Sequence, residues 1–202
     1  MSTADRPGTP TRRVDNRMGG LLARLLARWR GPRRAPVADL PPWARVGRRR
    51  RAHIRRVARL LEQWAVEMGV SDRERNRWLR AAWLHDALKD ARLANGTTHG
   101  PAAADRAARD GESDGGVLDA VRYHSLGYAG WDQVGRMLYL ADNLEPGRRG
   151  SPKRRAKLVK RVPRDPAGVL KEIVAQQMRA SLKSGRPVDP RTLEFWNSVV
   201  AP

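Results

Sequence analysis

The 202-residue sequence has no cysteine, an absence that excludes a disulfide framework and any thiolate metal site. Metal ligands, if there are any, must therefore be histidine or carboxylate. A cysteine-free chain also fits a reducing compartment. No apolar run approaches the ~18 residues needed to span a bilayer, and the N-terminus lacks the continuous apolar core of a secretory signal. A soluble, cytoplasmic protein is the expectation. Acid is scarce at the start: residues 1–59 hold 17 Arg and no Lys against Asp5, Asp15 and Asp39. That stretch carries +14 of the formal net charge of +20, so the basicity belongs mainly to the N-terminal region. Such an excess suits a polyanionic partner, whether nucleic acid, anionic lipid or a phosphorylated substrate, although high-GC codon bias would also favour Arg over Lys. The length allows one domain with a proper core plus a tail, and so one active site is sought.

Residues 1–40, rich in Arg, Pro, Gly and Ala, have too little apolar surface for a core of their own and read as a disordered basic arm. Within it Leu21, Leu22, Leu25, Leu26 and Trp29 share one helical face, with Arg24, Arg28 and Arg30 supplying charge. A short amphipathic helix there would suit a weak contact of residues 12–34 with RNA or an anionic membrane. A passive arm, or a start codon placed too early, explains the same residues.

From Pro41 to residue 202 the punctuation is helical. Val57, Leu60, Leu61, Trp64 and Met68 keep a 3.6-residue period up to Gly69, a natural stop. Ser71 and Glu74 form a capping-box pattern for a helix expected to run to about Lys89. Gly100-Pro101 predicts a helix start with His99 just outside it. Further helices are expected from Gly116 to His124, from Asp132 to Asn143, from Asp165-Pro166 to Gly185 and from Asp189-Pro190 onward. The third of these has Val169, Leu170, Ile173, Val174, Met178 and Leu182 on its apolar face. No alternating apolar and polar run competes, so the fold class is all-α.

Only four histidines are present. His53 precedes Val57, Leu60 and Trp64 by four, seven and eleven residues, which turns it toward the core side. His85 follows Trp78 and Ala82 in the same way, and His124 follows Val117 and Val121. Asp142 comes four after Leu138 and eight after Val134, which turns a carboxylate inward. One histidine on an apolar face is ordinarily a hydrogen-bonded core residue, and an Asp at a helix end is ordinarily a cap. As a set they read differently, because an unpaired buried carboxylate is costly and a shared cation offsets that cost. Adjacent helical residues project about 100° apart, so His85 and Asp86 can meet one metal only near the helix edge, which leaves the second Asp86 oxygen free to bridge. Imidazole and carboxylate ligands suit iron, manganese, zinc and other first-row ions.

The succession His53, His85-Asp86, His99, His124 and Asp142 resembles the HD superfamily, specifically its dinuclear branch. The words LHDALK, THGPAAA, AVRYHS, YLADNLEPGR and DPRTLEFWN are similar to the YqeK group of HD-domain proteins, symmetrical diadenosine tetraphosphate hydrolases, over about residues 48 to 199. The resemblance implies an HD-domain helical bundle in which His53, His85, Asp86 and Asp142 hold one metal and Asp86 bridges to a second held by His99 and His124. Family members of this kind are described with iron; two divalent or mixed-valence ions are implied, manganese being another candidate. A metal-bridging hydroxide would attack an inner phosphate of the nucleotide substrate and release two ADP. Asp86 and Lys89 match catalytic positions of the family. Lys89, Arg50, Glu145 and Arg148 match positions that order the site or bind phosphate, and each is otherwise an ordinary surface charge. Two alternatives stay open: an HD phosphohydrolase of a mononucleotide or alarmone, and a non-catalytic HD scaffold tethered to RNA or membrane by the arm. The oligomeric state is open too, a dimer included.

Two stretches depart from the family pattern. Only 12 residues separate Asp86 from His99, where the family carries a longer helical insertion. After His124 the run is Ser125, Leu126, Gly127, Tyr128, Ala129, Gly130 and Trp131, in which only the glycine is retained; Tyr128 and Trp131 could stack on a base or close a core. The run 148–164 holds nine Lys or Arg and no acid, as a steering patch or a solvated loop.

Overall fold

The computed structural model describes residues 39–201 apart from Asn95 and Arg149. The arm read at 1–40, with its 12–34 stretch, lies outside the described residues except for Asp39 and Leu40. Among the described residues there are eight helices and no strand. They are α1 (Arg48–Glu67), α2 (Asp72–Leu84), α3 (His99–Arg109), α4 (Gly115–Tyr123), α5 (Gln133–Leu144), α6 (Pro152–Arg161), α7 (Pro166–Lys183) and α8 (Pro190–Val200). None of these is long and apolar enough to cross a membrane.

The apolar periods are what bind the helices together. Ile54, Val57, Leu61 and Trp64 of α1 are fully buried and meet Trp78 of α2, Leu138 of α5 and Phe195 of α8 in one core. A second, small cluster of Ala103, Ala104 and Val121 lets α3 lie close against α4. Gly69 ends the α1 region at φ 62, a conformation that glycine adopts without a Cβ penalty. Asp114, Asp132 and Asp165 cap α4, α5 and α7 by accepting hydrogen bonds from backbone amides at the helix starts.

Several local expectations are corrected. α2 ends at Leu84 rather than near Lys89, because the following backbone turns away: Ala87 O accepts from Arg45 N at 2.7 Å, and Asp90 N donates to Arg45 O at 3.2 Å. His99 is the first residue of α3 rather than a residue just before it. Ser71 accepts from the Glu74 amide, but the Glu74 carboxylate turns to Trp78 and Arg77 instead of closing a capping box. The basic run contains a helix, α6, capped by Ser151; with only Leu158 buried it has no apolar stripe to announce it. Leu182 of α7 is 66% exposed, because the core ends before the last turn of that helix. Trp131 is buried against Tyr139 and Phe195, and its indole N–H donates to Asp119 O at 3.0 Å, so it closes the core.

Candidate metal centre

Ends of helices supply most of the site. His85 and His124 are the C-cap residues of α2 and α4, His99 opens α3, and Asp142 lies in the last turn of α5, while His53 comes from the second turn of α1. Helix ends converge here because a carbonyl freed at a C-terminus can hold an imidazole. His85 Nδ1 donates to Ala82 O at 2.7 Å, and His124 Nδ1 donates to Val121 O at 2.8 Å. His53 Nδ1 donates to Glu145 Oε1 at 3.1 Å. With Nδ1 protonated by those bonds, each ring presents an Nε2 lone pair inward.

The inward atoms form two groups able to hold a metal ion: His53, His85 and Asp142, and Asp86, His99 and His124. In the first, His53 Nε2 lies 2.9 Å from Asp142 Oδ1 and 3.3 Å from His85 Nε2. In the second, His99 Nε2 lies 3.1 Å from Asp86 Oδ1 and 3.0 Å from His124 Nε2. Asp86 joins them, since its Oδ2 is 3.5 Å from both His53 Nε2 and His85 Nε2 while its Oδ1 faces the other pair. Lone pair facing lone pair at 3.3 Å is repulsive unless a proton or cation lies between, so the donor set fits a pair of cations.

Electrostatics agree with that fit. Where the rings carry protons in place of an ion, burial would raise the Asp86 carboxyl, but the charge of His85 and hydrogen bonds from His124, His85 and His99 outweigh it and hold the group far below the carboxylate range. Under the same protonation Asp142 is likewise depressed against burial, by the His53 hydrogen bond and then by the charges of His85 and Arg148. Burial pushes the His99 ring down, only partly opposed by Asp86, which favours the neutral form a metal requires.

Close approach of α3 to α4 brings His99 to His124. A Cβ at Gly100 would stand 2.7 Å from Arg122 O, so the residue after His99 has room for glycine only. Gly127, at φ 90, lies against the Phe195 ring and carries the chain away after His124.

The flanking charges take distinct places. Arg50 Nη1 bonds Asp86 Oδ2 at 2.5 Å. Arg148 reaches Asp142 through its guanidinium and donates from Nε to Asp142 O at 2.7 Å. Lys89 is exposed, with Nζ 3.3 Å from His99 Nε2. Glu145 is 1% exposed and lies behind His53, held also by Arg56 and the Gly147 amide. A pocket of about 420 Å³ opens over Asp86, His124 and Asp142, lined by Arg50, Lys89, Arg148 and Arg186 among others. Arg56 and Arg186 escaped the sequence reading. Arg56 stands one turn after His53, a spacing that could have suggested it, whereas the turn carrying Arg186 gives no such signal.

Residues 50–147 match the family model of the HD domain. No curated protein matches the sequence. One similar solved structure is that of a predicted HD superfamily hydrolase involved in NAD metabolism from Clostridium acetobutylicum. It is 20% identical, with a TM-score of 0.65 over 77% of this chain and 90% of that chain, a likeness of fold. All six clustered side chains lie within residues 50–147, the stretch that matches the HD-domain model.

Proposed function

We propose that this protein is an HD-type metal-dependent phosphohydrolase that cleaves a dinucleoside polyphosphate, converting diadenosine tetraphosphate and water into two ADP. The observation that supports it best is the bridging placement of Asp86 between two histidine groups beside a pocket lined with cations. His53, His85, Asp86 and Asp142 would hold one ion, and Asp86, His99 and His124 the other, iron or manganese being suited to such ligands. When bound, two cations supply Lewis acidity toward phosphoryl oxygens and lower the pKa of water.

The chain's own residues do the rest. Glu145, fixed by Arg56, keeps the His53 ring in one tautomer and one orientation. Arg50, Lys89 and Arg148 face the pocket and bind phosphate oxygens, so that the scissile anhydride is held over Asp86. The oxygen of water joins one inner phosphate, and the other ADP departs with the bridging oxygen. The diadenosine specificity rests on the LHDALK, AVRYHS and YLADNLEPGR words.

A second reading, hydrolysis of another nucleotide, is favoured by the Clostridium acetobutylicum neighbour, described as involved in NAD metabolism. Metal analysis of the purified protein, with product identification from diadenosine tetraphosphate, NAD and mononucleotides, separates the two. Two ADP per diadenosine tetraphosphate is the expected result. AMP plus ATP would overturn the symmetrical assignment, and a protein that holds no metal and hydrolyses nothing would overturn the enzyme.

A further inference from the structure

Helix α1 opens with four consecutive arginines and carries seven before its first acid, Glu62. Besides Arg49, which is exposed, the fold sorts the other six into two sets. Arg50 and Arg56 turn onto Asp86 and Glu145. Arg48, Arg51, Arg55 and Arg59 are spaced three, four and four apart and so form one line along the helix, opposite buried Val57, Leu61 and Trp64. All four are exposed, and among the described residues no carboxylate pairs with any of them. By contrast Arg75, Arg77, Arg80, Arg122 and Arg161 each meet an acid.

This row opposes the stability of its own helix. Arg51, Arg55 and Arg59 repel at i,i+4 spacing. The arginines of the first turn stand at the positive end of the helix dipole, with no acidic residue there and no capping side chain on Gly47. A partner bearing regularly spaced negative charge would relieve both penalties.

We infer that the outward face of α1 docks the phosphate backbone of a nucleic-acid duplex. The row is straight, about 16 Å from Arg48 to Arg59 at 1.5 Å per residue, and it matches a rigid line of phosphates. The only aromatic of α1, Trp64, is fully buried, so the face has no platform for the base stacking on which single-strand binding relies. A membrane would require an apolar face to insert, yet the apolar face of α1 is in the core and Val66, in its last turn, is the one exposed large apolar side chain of that helix. Contact through backbone phosphates alone makes the docking independent of sequence.

The test uses the full chain, the R51Q/R55Q/R59Q variant and the R51K/R55K/R59K variant. Fluorescence anisotropy measures binding of labelled DNA and RNA duplexes across a salt series, with a single-stranded RNA and phosphatidylserine vesicles as further arms. Any contribution of residues 1–38 is the same in all three chains and cancels in the comparison. In the glutamine variant the slope of log K against log salt is expected to fall in magnitude by about 2.7, close to 0.9 for each lost phosphate contact. Duplex affinity weakens on the order of tenfold or more, while metal content and nucleotide hydrolysis stay unchanged. The lysine variant keeps the salt slope. Unchanged duplex affinity and slope in the glutamine variant would overturn the inference, as would a loss confined to vesicles or to single-stranded RNA.

Discussion

Arg77 and Asp86 sit nine residues apart and anchor two charge clusters built on opposite principles. Around Arg77 one guanidinium meets Glu74, Asp114 and Asp132. Two of those carboxylates also cap α4 and α5, so the network ties three helix starts together. Donors and acceptors match: hydrogen bonds to Asp114, Glu74 and Asp132 raise the Arg77 pKa despite burial, and the Arg77 hydrogen bond holds Asp114 below its usual range. Around Asp86 acceptors meet acceptors, because the Nε2 lone pairs of His53, His85 and His124 turn toward carboxylate oxygens after their Nδ1 protons have been committed elsewhere. A cluster that closes on itself holds the fold; a cluster left rich in acceptors is disposed to take up cations.

Asp86→Asn offers the sharpest break in that comparison. Turnover is expected to fall by several orders of magnitude, with loss of bound metal in elemental analysis, while the circular dichroism spectrum is retained. The corresponding change at the other cluster, Arg77→Met, removes the cation shared by three carboxylates. It should cost about 2–4 kcal/mol in denaturant unfolding, yet leave the metal content of the folded protein unchanged. Equal effects of the two substitutions on metal content would erase the distinction between the clusters. Glu145→Gln is milder, because it weakens the acceptor that orients His53: metal affinity should drop about 10–100-fold in a competition titration. Asp114→Asn is the smallest, about 1 kcal/mol at pH 7. Its sign with pH is fixed by linkage. The folded carboxyl is depressed, so its contribution is present above the unfolded value of about 3.9 and lost as pH falls through the folded value. The stability gap between wild type and variant should therefore close in acid unfolding below about pH 4.

Much of the architecture was legible where an apolar stripe had to find a core. The α1 period from Val57 to Trp64 and the α7 period from Val169 to Val174 both lie in helices that bury those residues. Legibility failed where no stripe existed, at α6, and where a tertiary contact ended a helix early, at Leu84. The site followed the same rule. His53, His85, His124 and Asp142 were singled out because polar groups at inward positions conflict with packing, and the fold brings them together with Asp86 and His99. Arg186, from the turn between α7 and α8, lines the same pocket, and no periodicity pointed to it. Glu145 could be read as ordering the site or as binding phosphate; its burial against His53 and Arg56 favours the ordering role.

By itself the sequence determined the donor chemistry: without cysteine, with four histidines and with aspartates at inward helical positions, only imidazole and carboxylate could converge. It also determined the all-helical class, because periods of 3.6 recur and alternation does not. Only the tertiary structure decided which side of Asp86 faces which histidines, since that depends on α3 lying close enough to α4 for Gly100 to touch the Arg122 carbonyl. It decided the tautomers as well, through carbonyls freed at the ends of α2 and α4. Likewise, the separation of the α1 arginines into those facing carboxylates and those facing solvent became visible only when the turns after α2 and α5 brought Asp86 and Glu145 alongside.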